Sequence, residues 1–173
     1  MSGHKDHKSR ATWGTTVWGA GILVFLVGMP TVASGRLPER LATHWDGASG
    51  EPDSSMPLWA AAFFPALIWT VLVAGVVFAS RWTDGEMSGA VTGWTSATLL
   101  TGGIFLAGGQ ASVVRANLDR TNWRQADSVT GWVVLTLIVA ATAGLVAWLA
   151  TRRGAAEQRA VTDGPRMDIP ADQ

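Results

Sequence analysis

The chain has 173 residues, 48% hydrophobic and 15% charged, and 13 lysines and arginines balance 13 aspartates and glutamates. About a quarter of a soluble domain is charged, so this composition argues against that class, and zero net charge argues against nucleic-acid binding. With no cysteine there is no disulfide, thiol nucleophile or cysteine-held metal, and ten tryptophans beside no tyrosine favour the residue that marks membrane–water interfaces.

Residues 11–35, 54–80, 87–114 and 128–151 hold no ionisable side chain. Each stretch exceeds the roughly 20 residues that cross a hydrocarbon core of about 30 Å. They predict an all-α integral membrane protein, an up-and-down bundle of four transmembrane helices in the cell membrane. In chain order the expected parts are a cytoplasmic tail 1–11, helix one 12–34, and a structured extracytoplasmic loop 35–56. Then come helix two 57–80, a cytoplasmic turn 81–88, helix three 89–111, an extracytoplasmic loop 112–128, helix four 129–150 and a partly disordered cytoplasmic tail 151–173. Trp13, Trp59, Trp82, Trp132 and Trp148 fall near the proposed boundaries.

Sidedness follows the basic residues. Lys5, Lys8, Arg10, Arg81, Arg152, Arg153, Arg159 and Arg166 would lie inside, against Arg36, Arg40, Arg115, Arg120 and Arg124 outside, which puts both termini in the cytoplasm. A competing reading of the first stretch is a cleaved signal peptide, with "TVA" before Ser34 as the processing site. Both readings turn the loop 35–56 outward.

That first loop contains "LPERLATHWDGASGEPDSSMP", from Leu37 to Pro57. Its candidate ligand-binding residues are Leu37, Pro38, His44, Trp45, Asp46, Gly50, Pro52 and Asp53. On an extended backbone His44 and Asp46 share a face. One histidine is too few for a usual zinc site, and the acids lack calcium-loop spacing, so no metal is expected. Alternatively Asp46-Gly47 and Glu51-Pro52-Asp53 only form turns, and His44 only anchors the loop. Leu37, Leu41 and Trp45, four apart, could lie along a short helix on the membrane surface with Pro38 in its first turn.

Helix two is expected to start with Pro57 in its first turn, capped by Ser54 or Ser55. Pro65 removes the hydrogen bond to the Ala61 carbonyl and predicts a kink. In helix three Gly89, Gly93, Ala97 and Thr101 recur every four residues, a ladder of small side chains that lets another helix approach. Gln110 is the one amide in the four uncharged stretches. The second loop offers Asn117, Asp119, Trp123 and Arg124, and its cations could pair with the first loop's acids. Thr136, Ala140 and Gly144 form a similar small-residue line in helix four, although alanine and glycine are abundant throughout.

No charge lies within the spans, where ion and proton movers keep one. No nucleophile–base set or phosphate loop can be assembled, so neither an enzyme nor a cofactor is expected. The outer loops are expected to recognise a peptide or envelope component. The alternative is a structural or assembly subunit that meets a membrane-protein partner through the Gly89–Thr101 face, and a small transporter comes third.

Leu37-Pro38, His44-Trp45 and Gly50-Glu51-Pro52-Asp53, following a membrane helix, resemble the signature of family 1648 among domains of unknown function. Two places depart from it: Ala42 stands where the family has a second proline, and Ser54-Ser55-Met56-Pro57 replaces its usual ending. The resemblance implies a bacterial multi-pass membrane protein, akin to membrane immunity and signalling proteins that protect against a secreted toxin peptide and control a repressor. Those relatives are longer and carry a further C-terminal membrane region with a Gly-Ile-Arg-Thr-like motif, which this chain lacks.

Overall fold

In the computed structural model, which describes residues 3–47, 49–82 and 88–162, four helices carry a two-stranded sheet at one end. They are α1 (Gly3–Ala33), α2 (Leu58–Trp82), α3 (Ser88–Asn117) and α4 (Thr130–Thr162). Strands β1 (Arg40–Trp45) and β2 (Pro52–Pro57) pair antiparallel between α1 and α2. All four helices are long and apolar enough to cross a membrane, over Thr16–Arg36, Leu58–Ala79, Trp94–Asn117 and Thr130–Gly154.

The helices outrun the expected spans. Charges leave a hydrocarbon layer without stopping a helix, so α1 already begins at Gly3 and α4 continues to Thr162. At its far end α3 runs past residue 111 to Asn117, because Val114 and Ala116 are buried and the Arg115 guanidinium folds over the Trp132 ring, 4.7 Å from its centroid. A long basic side chain can cover apolar surface in this way while its head stays wet.

Direction alternates from helix to helix. Gly108 meets Thr136 and Gly144 meets Thr101, so α4 runs against α3; a Cβ added at either glycine would collide with the threonine hydroxyl. The small residues of helix four therefore form a real contact line, with Ala140 buried between its two glycine–threonine contacts. At Thr101 the small-residue ladder of helix three is occupied by α4 itself. Gly89 and Gly93 lie in α3, but their surroundings fall outside the described residues.

The packed centre is built by α1, α2 and α3: Ile22 and Leu26, Ala66 and Trp69, and Leu99. Two indoles stitch it together. Trp69 Nε1 donates to the Gly19 carbonyl at 2.9 Å, and Trp18 Nε1 donates to the Leu99 carbonyl at 3.1 Å. In lipid an unpaired N–H has no water to turn to, which makes these interhelical bonds structural. Among the described residues no α4 side chain belongs to this cluster, and α4 packs chiefly on α3.

Two local expectations are overturned. Leu37, Leu41 and Trp45 do not share a helix: Leu37 is extended (φ −109°, ψ 145°), as the following Pro38 demands, and Leu41 and Trp45 belong to β1. Nor does Pro57 open α2. It ends β2 opposite Arg40, Ser54 and Ser55 are strand residues, and the Leu58 N–H at the start of the helix is met by the Glu39 carbonyl at 2.9 Å. An orphan helix-terminal donor is thus satisfied by the hairpin's own backbone. Pro65 lies within the continuous α2.

Candidate functional site

The hairpin and the segment 118–129 meet at one end of the helices. Asn117, fully buried in the last turn of α3, fixes the hairpin there. Its Oδ1 accepts from Ala42 N–H at 2.8 Å, while Nδ2 donates to the carbonyls of Ala42 at 3.1 Å and Val113 at 2.9 Å. One amide therefore reads both backbone groups of Ala42 as a neighbouring strand would. Leu41 and Ala42 are wholly buried beside it.

A second tie comes from Asp119. Its φ of 59° places it in the left-handed region that aspartate tolerates better than most residues. Its N–H donates to the Arg36 carbonyl at 2.8 Å, and its carboxylate takes both Nε (2.8 Å) and a terminal nitrogen of the Arg36 guanidinium. The hydrogen bond from Arg36 holds the Asp119 carboxyl below its ordinary range. Cross-loop pairing thus exists with polarity opposite to that expected: the first segment supplies the cation and the second the acid. Arg120 instead pairs within its own loop, with Asp127 at 2.6 Å, and Arg124 lies over Trp123, 4.4 Å from the ring centroid. Asn122 caps the short 3-10 turn 123–125 by accepting from Arg124 N–H.

Within the hairpin, pairing runs Arg40–Pro57, Leu41–Met56, Ala42–Ser55, then His44–Ser54 and Trp45–Pro52. Thr43 and Asp53 are therefore surplus residues, one on each strand. Bulges of this kind re-aim side chains, and here His44 Nδ1 lies 2.6 Å from Asp53 Oδ1 on the exposed face. The contact is an ion pair when the imidazole is protonated, and otherwise a hydrogen bond that the neutral ring's Nδ1–H donates to the carboxylate.

The other motif residues serve the turn. The Asp46 carboxylate accepts from Ser49 N–H at 3.0 Å, and its backbone exchanges bonds with Gly50 and Glu51. Gly50 has φ +70°, a conformation costly for any residue with a Cβ. Pro52 opens β2 as the partner of Trp45. The turn-forming reading therefore holds for Asp46, whereas Pro52 and Asp53 belong to β2 and Asp53 is drawn out to His44. Among the described residues no three histidines, aspartates or glutamates gather as a metal-ligand set.

Beneath the hairpin is a cavity of about 420 Å³, bounded by β1, α2, α3 and α4. Gln110 lines it at 4% exposure, and neither its Nε2 nor the Nε1 of Trp45 has a hydrogen-bond partner. Sequence reasoning passed over Gln110 as a site residue, although a lone amide in an uncharged stretch was the available signal. Arg36 gave no such signal, since its role depends on Asp119, 83 positions away.

Four apolar helices of membrane-crossing length under a braced polar hairpin define the class: the build of a multi-pass membrane protein. Residues 21–69 match the model of the family described as Domain of unknown function (DUF1648), the one that the Leu37–Asp53 motif resembles. The match takes in the second half of α1, the whole hairpin and α2 as far as Trp69. None of the curated proteins and none of the solved structures compared matches the chain.

Proposed function

We propose that the protein lies in the cell membrane, crosses it four times with both termini in the cytoplasm, and uses its outward hairpin to recognise a peptide or envelope component without catalysis. The observation that carries this reading is the exposed His44–Asp53 pair on a hairpin held from below by buried Asn117 and from the side by Asp119. A strand pair with so many fixed contacts loses little conformational freedom on binding, which favours affinity. The Arg115–Trp132 and Arg152–Trp148 stacks, near the two ends of the apolar part of α4, support the membrane placement.

The test is capture of a partner from detergent-solubilised membranes by the full chain, compared with His44→Ala and Asp53→Ala. Loss of the partner in both variants is expected. A partner retained equally by all three chains refutes recognition by the hairpin. A second reading, an assembly subunit of a membrane complex, draws on α4, whose Val134, Ile138, Leu145 and Val146 are exposed and apolar. Bulky substitution on that face, rather than at the hairpin, would then release the partner.

A further inference from the structure

Helices α1 and α4 both pack on α3 but, among the described residues, barely on each other, which leaves a groove of about 510 Å³ between them. Gly108 and Ala111 of α3 lie along it, with Phe25 and Met29 of α1 on one side and Leu135 and Val139 of α4 on the other. Phe25, Leu135 and Val139 are exposed, so the groove is open along its side. Its polar lining groups below Arg115 are already engaged: Trp18 Nε1 and the Ser112 hydroxyl donate to the carbonyls of Leu99 and Gly108, and Thr136 is pressed against Gly108. From Ile104 to Arg115 the groove follows α3 for about 16 Å, half of a hydrocarbon core of roughly 30 Å. An apolar channel one leaflet deep suits a single acyl chain.

Arg115 stands at the hairpin end of this groove, exposed, with its guanidinium over the Trp132 ring. Arg36 holds Asp119 and Arg120 holds Asp127, but among the described residues no carboxylate or carbonyl engages the Arg115 guanidinium. Its N–H donors are left for an anion, and their planar fork matches phosphate. We infer that the groove holds one acyl chain of an anionic phospholipid whose phosphate binds Arg115. The neighbouring charges decide against a zwitterion: both aspartates of segment 118–129 already serve Arg36 and Arg120, which leaves an ammonium head no partner. Trp132, between chain and phosphate, belongs at the interface where tryptophan concentrates. The site rests on the membrane reading but does not depend on what the hairpin's outer face recognises.

The test places the full chain in dioleoylphosphatidylcholine vesicles doped with a trace of one lipid bearing a diazirine on an acyl chain: phosphatidylglycerol, phosphatidylcholine or diacylglycerol. Labelled peptides are mapped after irradiation and normalised to labelling around the exposed Val71 of α2, which lies outside the groove. Labelling of 104–111 and 135–139 from phosphatidylglycerol should exceed that from either other lipid about fivefold or more, the factor that one net hydrogen bond carries. The excess should vanish in Arg115→Gln. If phosphatidylcholine or the phosphate-free lipid labels the groove as strongly as phosphatidylglycerol, Arg115 selects no anionic lipid and the assignment is wrong. If the excess survives in Arg115→Gln, the phosphate is held elsewhere and the assignment is again wrong. Should that variant fail to insert, the comparison of three lipids on the parent chain still decides. Absence of labelling at Val71 as well as in the groove overturns the membrane placement and the site together, while Val71 labelling without a groove excess overturns the site alone.

Discussion

Replacing Asn117 by alanine should release the hairpin from the helices while leaving the helices in place. Three hydrogen bonds disappear, to Ala42 N–H, Ala42 C=O and Val113 C=O. The Val113 carbonyl lies one turn before the end of α3, where the i+4 backbone donor is the N–H of residue 117 and survives the substitution, so the cost falls on Ala42, whose residue is wholly buried. Leaving two buried backbone groups unmade, at about 1–3 kcal/mol each and eased by water entering the space vacated, amounts to about 2–4 kcal/mol. At about 1.4 kcal/mol per tenfold, local opening should become roughly two orders of magnitude more frequent. Hydrogen exchange at the Ala42 amide, measured in detergent under conditions where opening is rapid and reversible, reads this directly. Asn117→Asp should do no better at neutral pH, since its carboxylate would face the two carbonyls that Nδ2 now serves. Unchanged exchange at Ala42 in Asn117→Ala would refute the view that this amide holds the hairpin.

Three further outcomes follow from the packing and the charges. Gly108→Ala should destabilise the α3–α4 pair by about 1–3 kcal/mol, because its Cβ would strike Thr136, whereas Gly109→Ala, which meets nothing within 4 Å, should be neutral or slightly stabilising in thermal unfolding followed by tryptophan fluorescence. Trp69→Phe should cost more than the roughly 0.6 kcal/mol typical of an interhelical hydrogen bond in a membrane, since the bond to Gly19 and part of a 1%-exposed ring are lost together. Asp119 has a lowered carboxyl in the folded chain, so its contribution is present above the ordinary carboxylate range and fades as acid protonates it below about pH 4. Asp119→Asn should accordingly flatten the acid limb of a stability profile, and an unchanged limb would count against the Arg36 tie.

Charge-free length was enough to find the four helices, because lipid imposes one demand on every residue of a span. It did not find their ends. Asn117 looked like a loop residue on composition, and only the strand it meets, 75 positions earlier, explains why α3 continues to it. The hairpin was misread for a related reason: Leu37, Leu41 and Trp45 satisfy helical spacing, and nothing local reveals that the Ala42 backbone is spoken for by a distant amide. Asp46 was legible as a turn former because its carboxylate acts three residues away, on Ser49 N–H. The His44–Asp53 contact was hidden by the surplus residues, which no pattern of alternation announces.

Those surplus residues also bear on how the hairpin can change length. Thr43 and Asp53 offset one another, so the pairing of Trp45 with Pro52 keeps the same phase as that of Ala42 with Ser55. Deleting either alone would put the turn half a pleat out of step with the base and rotate Trp45 away from the helices. Deleting both would shorten the hairpin without disturbing its phase, although the imidazole–carboxylate pair would go with them. Natural or engineered length variants of this segment should therefore gain or lose residues in matched pairs.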